Sequence, residues 1–349
     1  MRIRWRHLVL VAIIAPLLGL MVAWSGLISV RANTGHWAVT DWFLHWVMRN
    51  SVSTASLGTE APPLDQPAMV QHAAGHFESG CAICHGSPSM ARSASVLAML
   101  PPPPDLAKAA GEWTDEQLFE IVKHGVRFTG MPAWPTQGRD DEVWAMVAFL
   151  RKLPDMDAEA YSRLAGFHQP TAGAVSPEAL TCESCHSDDR LGPDSRIPAL
   201  SGQSEAYILE SLKAYSEGRR ASGIMQTAVA ALPRESLPEL ARYFAGKTPM
   251  DRPSAQMPVE TVEKGRVLAE TGRAKDKIPA CLSCHEREGG NPVYPKLSGQ
   301  AQPYLRQQLQ LFAQGIRGGT SYSHLMTEAA KNLKDDDIEA LAAYFAQRR

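Results

Sequence analysis

Three five-residue stretches hold the residue types best suited to chemistry: Cys81-Ala82-Ile83-Cys84-His85, Cys182-Glu183-Ser184-Cys185-His186 and Cys281-Leu282-Ser283-Cys284-His285. Each reads C-x-x-C-H. At this spacing two thiols form thioethers to the vinyl groups of one porphyrin, and the histidine that follows is placed to ligate its iron. All 6 cysteines of the chain lie in these motifs. A redox dithiol leaves the histidine unexplained, and a zinc site needs two more soft ligands at each motif. The spacing therefore implies three covalent haems c on Cys81, Cys84, Cys182, Cys185, Cys281 and Cys284. His85, His186 and His285 are the proximal ligands.

A methionine follows each motif as the candidate distal ligand. Met131 lies in Gly130-Met131-Pro132-Ala133-Trp134, where Pro132 helps to present the thioether in a loop; Met90 and Met99 compete but lie close after the motif. Met225 lies in Gly223-Ile224-Met225, and Met326 in His324-Leu325-Met326, with His324 as its competitor. A thioether ligand raises the reduction potential relative to a second histidine. An iron bound by both histidine and methionine has no open position for substrate. One-electron exchange is then the expected chemistry, with no catalytic residue of the chain's own.

The elements that must position these residues read as helices. In the first haem domain, 69–160, a helix over 69–80 leads into the motif, with Phe77 placed to pack at the haem edge. The four prolines 101–104 are extended. Thr114 and Gln117 form a capping box for a helix that ends at Gly125, and a helix over 140–153 stops at Pro154. His76 and His124 read as surface residues. The second domain, 174–247, has a truncated leading helix opened by Ser176-Pro177, then helices over 205–217 and 235–245. The third, 256–349, has helices over 259–270, 304–313 and 335–347, the last with Asp335 and Asp336 at its positive end.

Before these lie an anchor, 1–35, and a second segment, 36–68. Arg2, Arg4 and Arg6 precede residues 8–30, which carry no charge, and Arg31 follows. Such a stretch crosses a hydrocarbon core of about 30 Å and lacks an A-x-A cleavage site. The arginine excess puts the N-terminus in the cytoplasm and the haem motifs on the periplasmic side of a bacterial cytoplasmic membrane. Residues 37–48 space Trp37, Trp42, Phe43, Trp46 and Val47 as an amphipathic helix. It suits a lipid headgroup layer, a membrane partner, or packing on the first haem domain. Residues 51–68 read as a linker.

The chain's 349 residues suffice for two or three domains. Charged residues make up 21% with a net charge of -2, and there is no basic run, so a nucleic-acid partner is not expected. There is no ring of lysines for strong steering to an acidic partner. A tethered protein needs less steering.

The second and third domains are an internal repeat. Ala199-Leu200-Ser201-Gly202-Gln203 matches Lys296-Leu297-Ser298-Gly299-Gln300, Tyr207 matches Tyr304, and Leu240-Ala241-Arg242-Tyr243-Phe244-Ala245 matches Leu341-Ala342-Ala343-Tyr344-Phe345-Ala346. From about residue 70 to the end, the chain resembles class I cytochrome c, and these two domains resemble the halves of dihaem cytochrome c4. The third keeps the pattern as Pro295, Leu297, Gly299-Gln300, Tyr304-Leu305, Phe312, Gly315, Arg317 and Met326. The second keeps most of it, with Tyr215, Gly218 and Arg219 in the middle. The first is similar to single-haem modules found beside bacterial membrane oxidoreductases. The resemblance implies an all-α fold of three class I cytochrome c domains behind one transmembrane helix and one amphipathic helix. It implies electron delivery from a quinol-oxidising complex or a dehydrogenase to a membrane terminal oxidase, by a tethered shuttle or an oxidase subunit. The alternative is the trihaem electron-accepting subunit of a membrane-bound alcohol or aldehyde dehydrogenase. A haem enzyme such as a peroxidase would need an iron without a sixth ligand.

Overall fold

The computed structural model describes residues 4–166, 176–250 and 255–348. Among these the chain is helical, with no strand and isolated bridges only at Ser87–Met90 and Arg273–Ile278. Arg2, the expected second-domain start at 174 and the last residue lie outside the described residues. Helix α1 (Trp5–Trp24) has 20 residues, none of them buried by the rest of the chain. It is shorter than the uncharged run because a turn begins at Ser25, whose hydroxyl donates to the Val22 carbonyl at 2.6 Å. At 1.5 Å per residue it still reaches about 30 Å, and Pro16 lies within it.

Helix α2 (Ala38–Ala55) runs past 48 into the expected linker. Its C-terminal half sits on the first haem region. Arg49 pairs with Glu112 at 2.7 Å and lies 4.8 Å from the Trp113 ring centre. Gln117 Nε2 donates to Ser53 Oγ at 3.1 Å. Its other half leaves Trp37, Trp42, Phe43 and Trp46 exposed, with Trp42 stacked on Trp46.

Three apolar clusters follow, each around one motif. In the first, α3 (Pro67–His76) continues through a π-helical turn at Phe77–Cys81 into the motif and crosses α5 (Asp140–Lys152). Phe77, expected at a haem edge, is instead fully buried at this crossing. Its ring centre lies 4.9 Å from that of Phe149 and 6.3 Å from Tyr161, on the unforeseen α6 (Ala158–Ala165). His76, expected at the surface, is also buried, its ring 4.8 Å from Trp134. It falls on the same helix face as Met69 and Ala73, the buried stripe of α3. Helix α4 (Asp115–His124) starts with the expected Thr114–Gln117 box and ends at Gly125.

The second cluster is α7 (Pro177–His186), α8 (Glu205–Ser216), α9 (Gly223–Ala230) and α10 (Leu237–Ala245). The third is α11 (Val259–Thr271), α12 (Gln302–Ala313), α13 (Ser323–Ala330) and α14 (Asp335–Gln347). Helices α9 and α13 were not expected; they fill the stretches that bear Met225 and Met326. At the α11–α14 crossing, a Cβ on Gly265 would lie 1.9 Å from the Ala340 carbonyl oxygen, so only glycine permits this approach.

The second and third clusters join through reciprocal pairs. Gln203 Nε2 donates to the Lys296 carbonyl at 2.8 Å while Lys296 N donates to Gln203 Oε1 at 3.0 Å. Gln300 Nε2 donates to the Ala199 carbonyl at 2.9 Å while Ala199 N donates to Gln300 Oε1 at 3.0 Å. The repeat thus packs on itself with approximate two-fold symmetry. The short α7 is covered by α3: a Cβ on Gly75 would lie 2.5 Å from Cys185 Sγ, and Gln71 Nε2 donates to the Arg190 carbonyl at 2.8 Å.

All three clusters meet at the start of α5. Arg139 Nη1 donates to the Ala221 carbonyl at 2.8 Å, its Nε reaches Asp141 at 2.8 Å, and Asp141 also accepts from Gln307 of α12. His72 is electrostatically close to Asp141, Arg139 and Arg196, and neither ring nitrogen has a hydrogen-bond partner among the described residues. Burial lowers its pKa to about 3, against the opposing pull of Asp141.

Two outcomes are expected. Gly265→Ala overpacks the α11–α14 crossing and destabilises by about 1–3 kcal/mol, read as a lower denaturant midpoint. For His72, the unfolded ring takes up a proton near pH 6.5 that the folded ring refuses until about 3. Its contribution to stability is therefore complete above the unfolded pKa and is lost as pH falls through that window. His72→Leu should flatten the stability curve between those pH values while leaving the neutral-pH midpoint unchanged or raised.

Candidate haem sites

Each motif histidine is held in the same way. His85 Nδ1 lies 2.8 Å from the Pro104 carbonyl oxygen, His186 Nδ1 lies 3.0 Å from that of Pro198, and His285 Nδ1 lies 2.8 Å from that of Pro295. A carbonyl only accepts, so Nδ1 carries the proton and Nε2 keeps its lone pair. Proline fixes φ in the segment bearing that carbonyl, which restricts the direction of the acceptor. Burial lowers the pKa of all three rings, and the proline hydrogen bond opposes it. The neutral ring, the form that ligates a metal, is therefore favoured at neutral pH.

The first thiol of each motif lies in apolar surroundings. Burial pushes Cys81 and Cys182 up to about 12 and Cys281 to about 11, and none of the six cysteines is paired in a disulfide. Among the described residues no three His, Cys, Asp or Glu side chains converge on a metal-sized point. Each motif thus presents one imidazole and two unpaired thiols, the first of them buried, a donor set that fits a porphyrin.

On the distal side, Met326 Sδ lies 3.5 Å from His285 Nε2. Helix α13 carries Met326, whereas His324 on the same helix is exposed. Met225 rides on α9 and packs against the second cluster. Its amide donates to the Ser222 hydroxyl at 3.1 Å, a helix cap that the Ser-Gly pair in the sequence signals. Met131 sits in the expected loop, folded back over the end of α4. Its amide donates to Thr129 Oγ1 at 3.1 Å, and Trp134 N donates to the Lys123 carbonyl at 2.9 Å. Gly125, at φ 65, leaves room for the Met131 carbonyl, which would lie 2.6 Å from a Cβ there. Met90 is exposed and Met99 abuts Gly130.

Arginines line the joint between the second and third clusters. Arg220 Nη1 donates to Ser211 Oγ at 2.8 Å and lies 4.6 Å from the Tyr215 ring centre. Arg317 Nη1 donates to Gln308 Oε1 at 2.6 Å and lies 4.6 Å from the Phe312 ring centre. Arg220, and not Arg219, is therefore the counterpart of Arg317; Arg219 is largely exposed and pairs with Glu217. The Tyr-x-x-Gly-x-Arg register, counted from Tyr215, was the signal. Burial drives the Tyr207 phenol up, and Arg220 and Arg317 more than reverse it, leaving Tyr207 below its ordinary value. Neither arginine has a carboxylate ion pair among the described residues. Their charges lie instead against the Tyr215 and Phe312 ring faces and beside the Tyr207 phenol at the joint.

The residues present therefore fit haem. His85, His186 and His285 would hold it, with Met131, Met225 and Met326 as the candidate second ligands and the cysteine pairs as covalent tethers. When bound, haem c supplies reversible one-electron exchange between ferric and ferrous iron. The chain's own part is to fix the imidazole tautomers, present the thioethers and exclude water.

Residues 68–150 match the family model described as cytochrome C oxidase, cbb3-type, subunit III, and residues 262–348 match the model for cytochrome c. A thiosulfate dehydrogenase electron acceptor of Stutzerimonas stutzeri (strain A1501) is 30% identical over 206 residues, 58% of this chain and 94% of that protein. Cytochrome c4 of Pseudomonas aeruginosa is 30% identical over 181 residues, 50% of this chain and 86% of that protein. Cytochrome c-552 of Acidithiobacillus ferridurans is 33% identical over 183 residues, 51% of this chain and 76% of that protein. The chain belongs to the class I cytochromes c, which carry covalent haem c and transfer electrons.

Met131→Ala, Met225→Ala and Met326→Ala should each remove one methionine-to-iron charge-transfer signal and lower one haem midpoint. A redox titration of each variant, followed by absorbance, checks this. Any variant that keeps every signal strikes that methionine from the ligand set.

Proposed function

We propose that this chain is a membrane-tethered trihaem cytochrome c, with domains at 69–160, 174–247 and 256–349. In this reading it carries electrons on the periplasmic side of a bacterial cytoplasmic membrane. Electrons arrive at the paired second and third haems from a dehydrogenase or quinol-oxidising complex. They leave through the first haem to a terminal oxidase, with the chain acting as a tethered shuttle or as an oxidase-associated subunit.

The observation that carries this reading is the match of residues 68–150, the haem region next to the anchor, to an oxidase subunit family. Helix α1 supports the tether, because it is long and apolar enough to span a bilayer. The exposed Trp37, Trp42 and Trp46 support lipid contact beside it, since tryptophan favours the headgroup layer. Arg4 and Arg6 before the span, with Arg31 alone after it, support a cytoplasmic N-terminus.

A second reading has its own support. Two relatives are named thiosulfate dehydrogenase electron acceptor, in Stutzerimonas stutzeri and in Thiomonas intermedia. On that reading this chain is the electron-accepting partner of a dehydrogenase, of which thiosulfate is one candidate substrate.

Mild-detergent purification of the native protein, with reduced-minus-oxidised spectra of the eluate, separates the two. The first reading expects a c-type band together with an a- or b-type haem signal and oxidase polypeptides. A c-type band with a dehydrogenase polypeptide and no oxidase haem would overturn it in favour of the second.

A further inference from the structure

Glu142 is the third residue of α5, in the first turn, where an acid complements the helix dipole. It is 1% exposed. Its Oε1 accepts from Ser222 Oγ at 2.6 Å and pairs with Arg139 Nη1 at 2.9 Å. Its Oε2 accepts from Gly223 N at 2.7 Å, Ile224 N at 3.4 Å and Trp134 Nε1 at 3.2 Å. The two amides open α9, so a carboxylate of the first cluster satisfies the free N-terminus of the helix that carries Met225. Ser222 continues the connection, because its hydroxyl also accepts from the Met225 amide.

The same carboxylate reaches the loop that bears the other candidate ligand. Trp134 is three residues beyond Met131, in the loop that presents it. A Cβ on Gly223 would lie 2.2 Å from Trp134 Nε1, so the indole lies directly on the start of α9. One buried group thus ties together the segments that bear Met131 and Met225. The backbone amides, the indole N–H and the guanidinium can only donate, a set that an ionised carboxylate satisfies. Burial pushes Glu142 upward, and the Arg139 charge beside it opposes that shift.

We propose that Glu142 is a positioning residue for electron transfer, locking the Met131 loop to the Met225 helix and lowering the midpoint of the second haem through its fixed negative charge. The proposal rests on the assignment of Met225 as a ligand. A carboxylate at this helix end cancels part of the positive end of the dipole and favours the ferric form.

The test uses the full-length, detergent-solubilised haem protein, with redox titrations and the methionine-to-iron charge-transfer band as readouts. Met225→Ala first identifies which midpoint belongs to that site. If no midpoint moves in that variant, the ligand assignment fails, independently of Glu142. Glu142→Gln keeps the shape and removes the charge. It should raise that midpoint with the band retained and leave the other two in place. Trp134→Phe removes one donor and leaves the charge less compensated, so it should lower the same midpoint with the band intact. Simple loosening of the joint predicts a fall in both variants, with loss of the band. An unmoved midpoint, or a fall with band loss in Glu142→Gln, overturns the proposal. If Glu142→Gln does not accumulate, Trp134→Phe decides: a lowered midpoint with the band intact supports it, and any other result overturns it.

Discussion

An imidazole turns about two bonds, and few of its orientations aim Nε2 at a sulfur on the far side of a porphyrin. Here the choice is made by a proline carbonyl. Pro104, Pro198 and Pro295 each accept from the Nδ1 of the motif histidine, and each is held in an extended segment that follows it in the chain. Much else in the sites depends on that bond. It selects the tautomer, and at His285 it leaves Nε2 3.5 Å from Met326 Sδ. The repeated segment also serves the joint, since Ala199 and Lys296, the residues next to two of these prolines, pair with Gln300 and Gln203 across it. Proximal geometry and the packing of the repeat are therefore set by the same few residues.

The first cluster is bound to this pair by different means. Its contacts are asymmetric and partly ionic, with Arg139, Asp141 and Glu142 at the start of α5 reaching both α9 and α12. Buried charges are costly unless paired and hydrogen-bonded, and removing one partner of such a pair costs about 3–5 kcal/mol. A joint of this kind tolerates little displacement. The contacts of α2 are arranged in the opposite sense. The C-terminal half of α2 is docked on the first cluster, while its tryptophans remain outside.

Much of the haem chemistry was legible in the residues. Attachment motifs, methionine candidates, the Thr114 capping box and the closing helices depend on local spacing, and local spacing survives folding. Phe77 and His76 show where such reading stops. His76 ends α3 and Phe77 begins the π-helical turn that continues it, and the buried face there was set by the crossing with α5 and by the unforeseen α6. Helices α9 and α13 were missed because they are only eight residues long. Helices that short are weakly encoded by propensity and are held by tertiary packing.

By itself the sequence determined the covalent chemistry of this protein: which cysteines can hold a porphyrin, which histidines follow them, and that an apolar stretch precedes them all. Those properties reside in neighbouring residues, so no folding is needed to state them. Tertiary structure alone decided which carbonyls orient the histidines, that His76 is buried against Trp134, and that Glu142 is a buried link between two ligand-bearing segments. Each of those depends on groups distant in the chain meeting at hydrogen-bond range, and local spacing carries no record of such meetings.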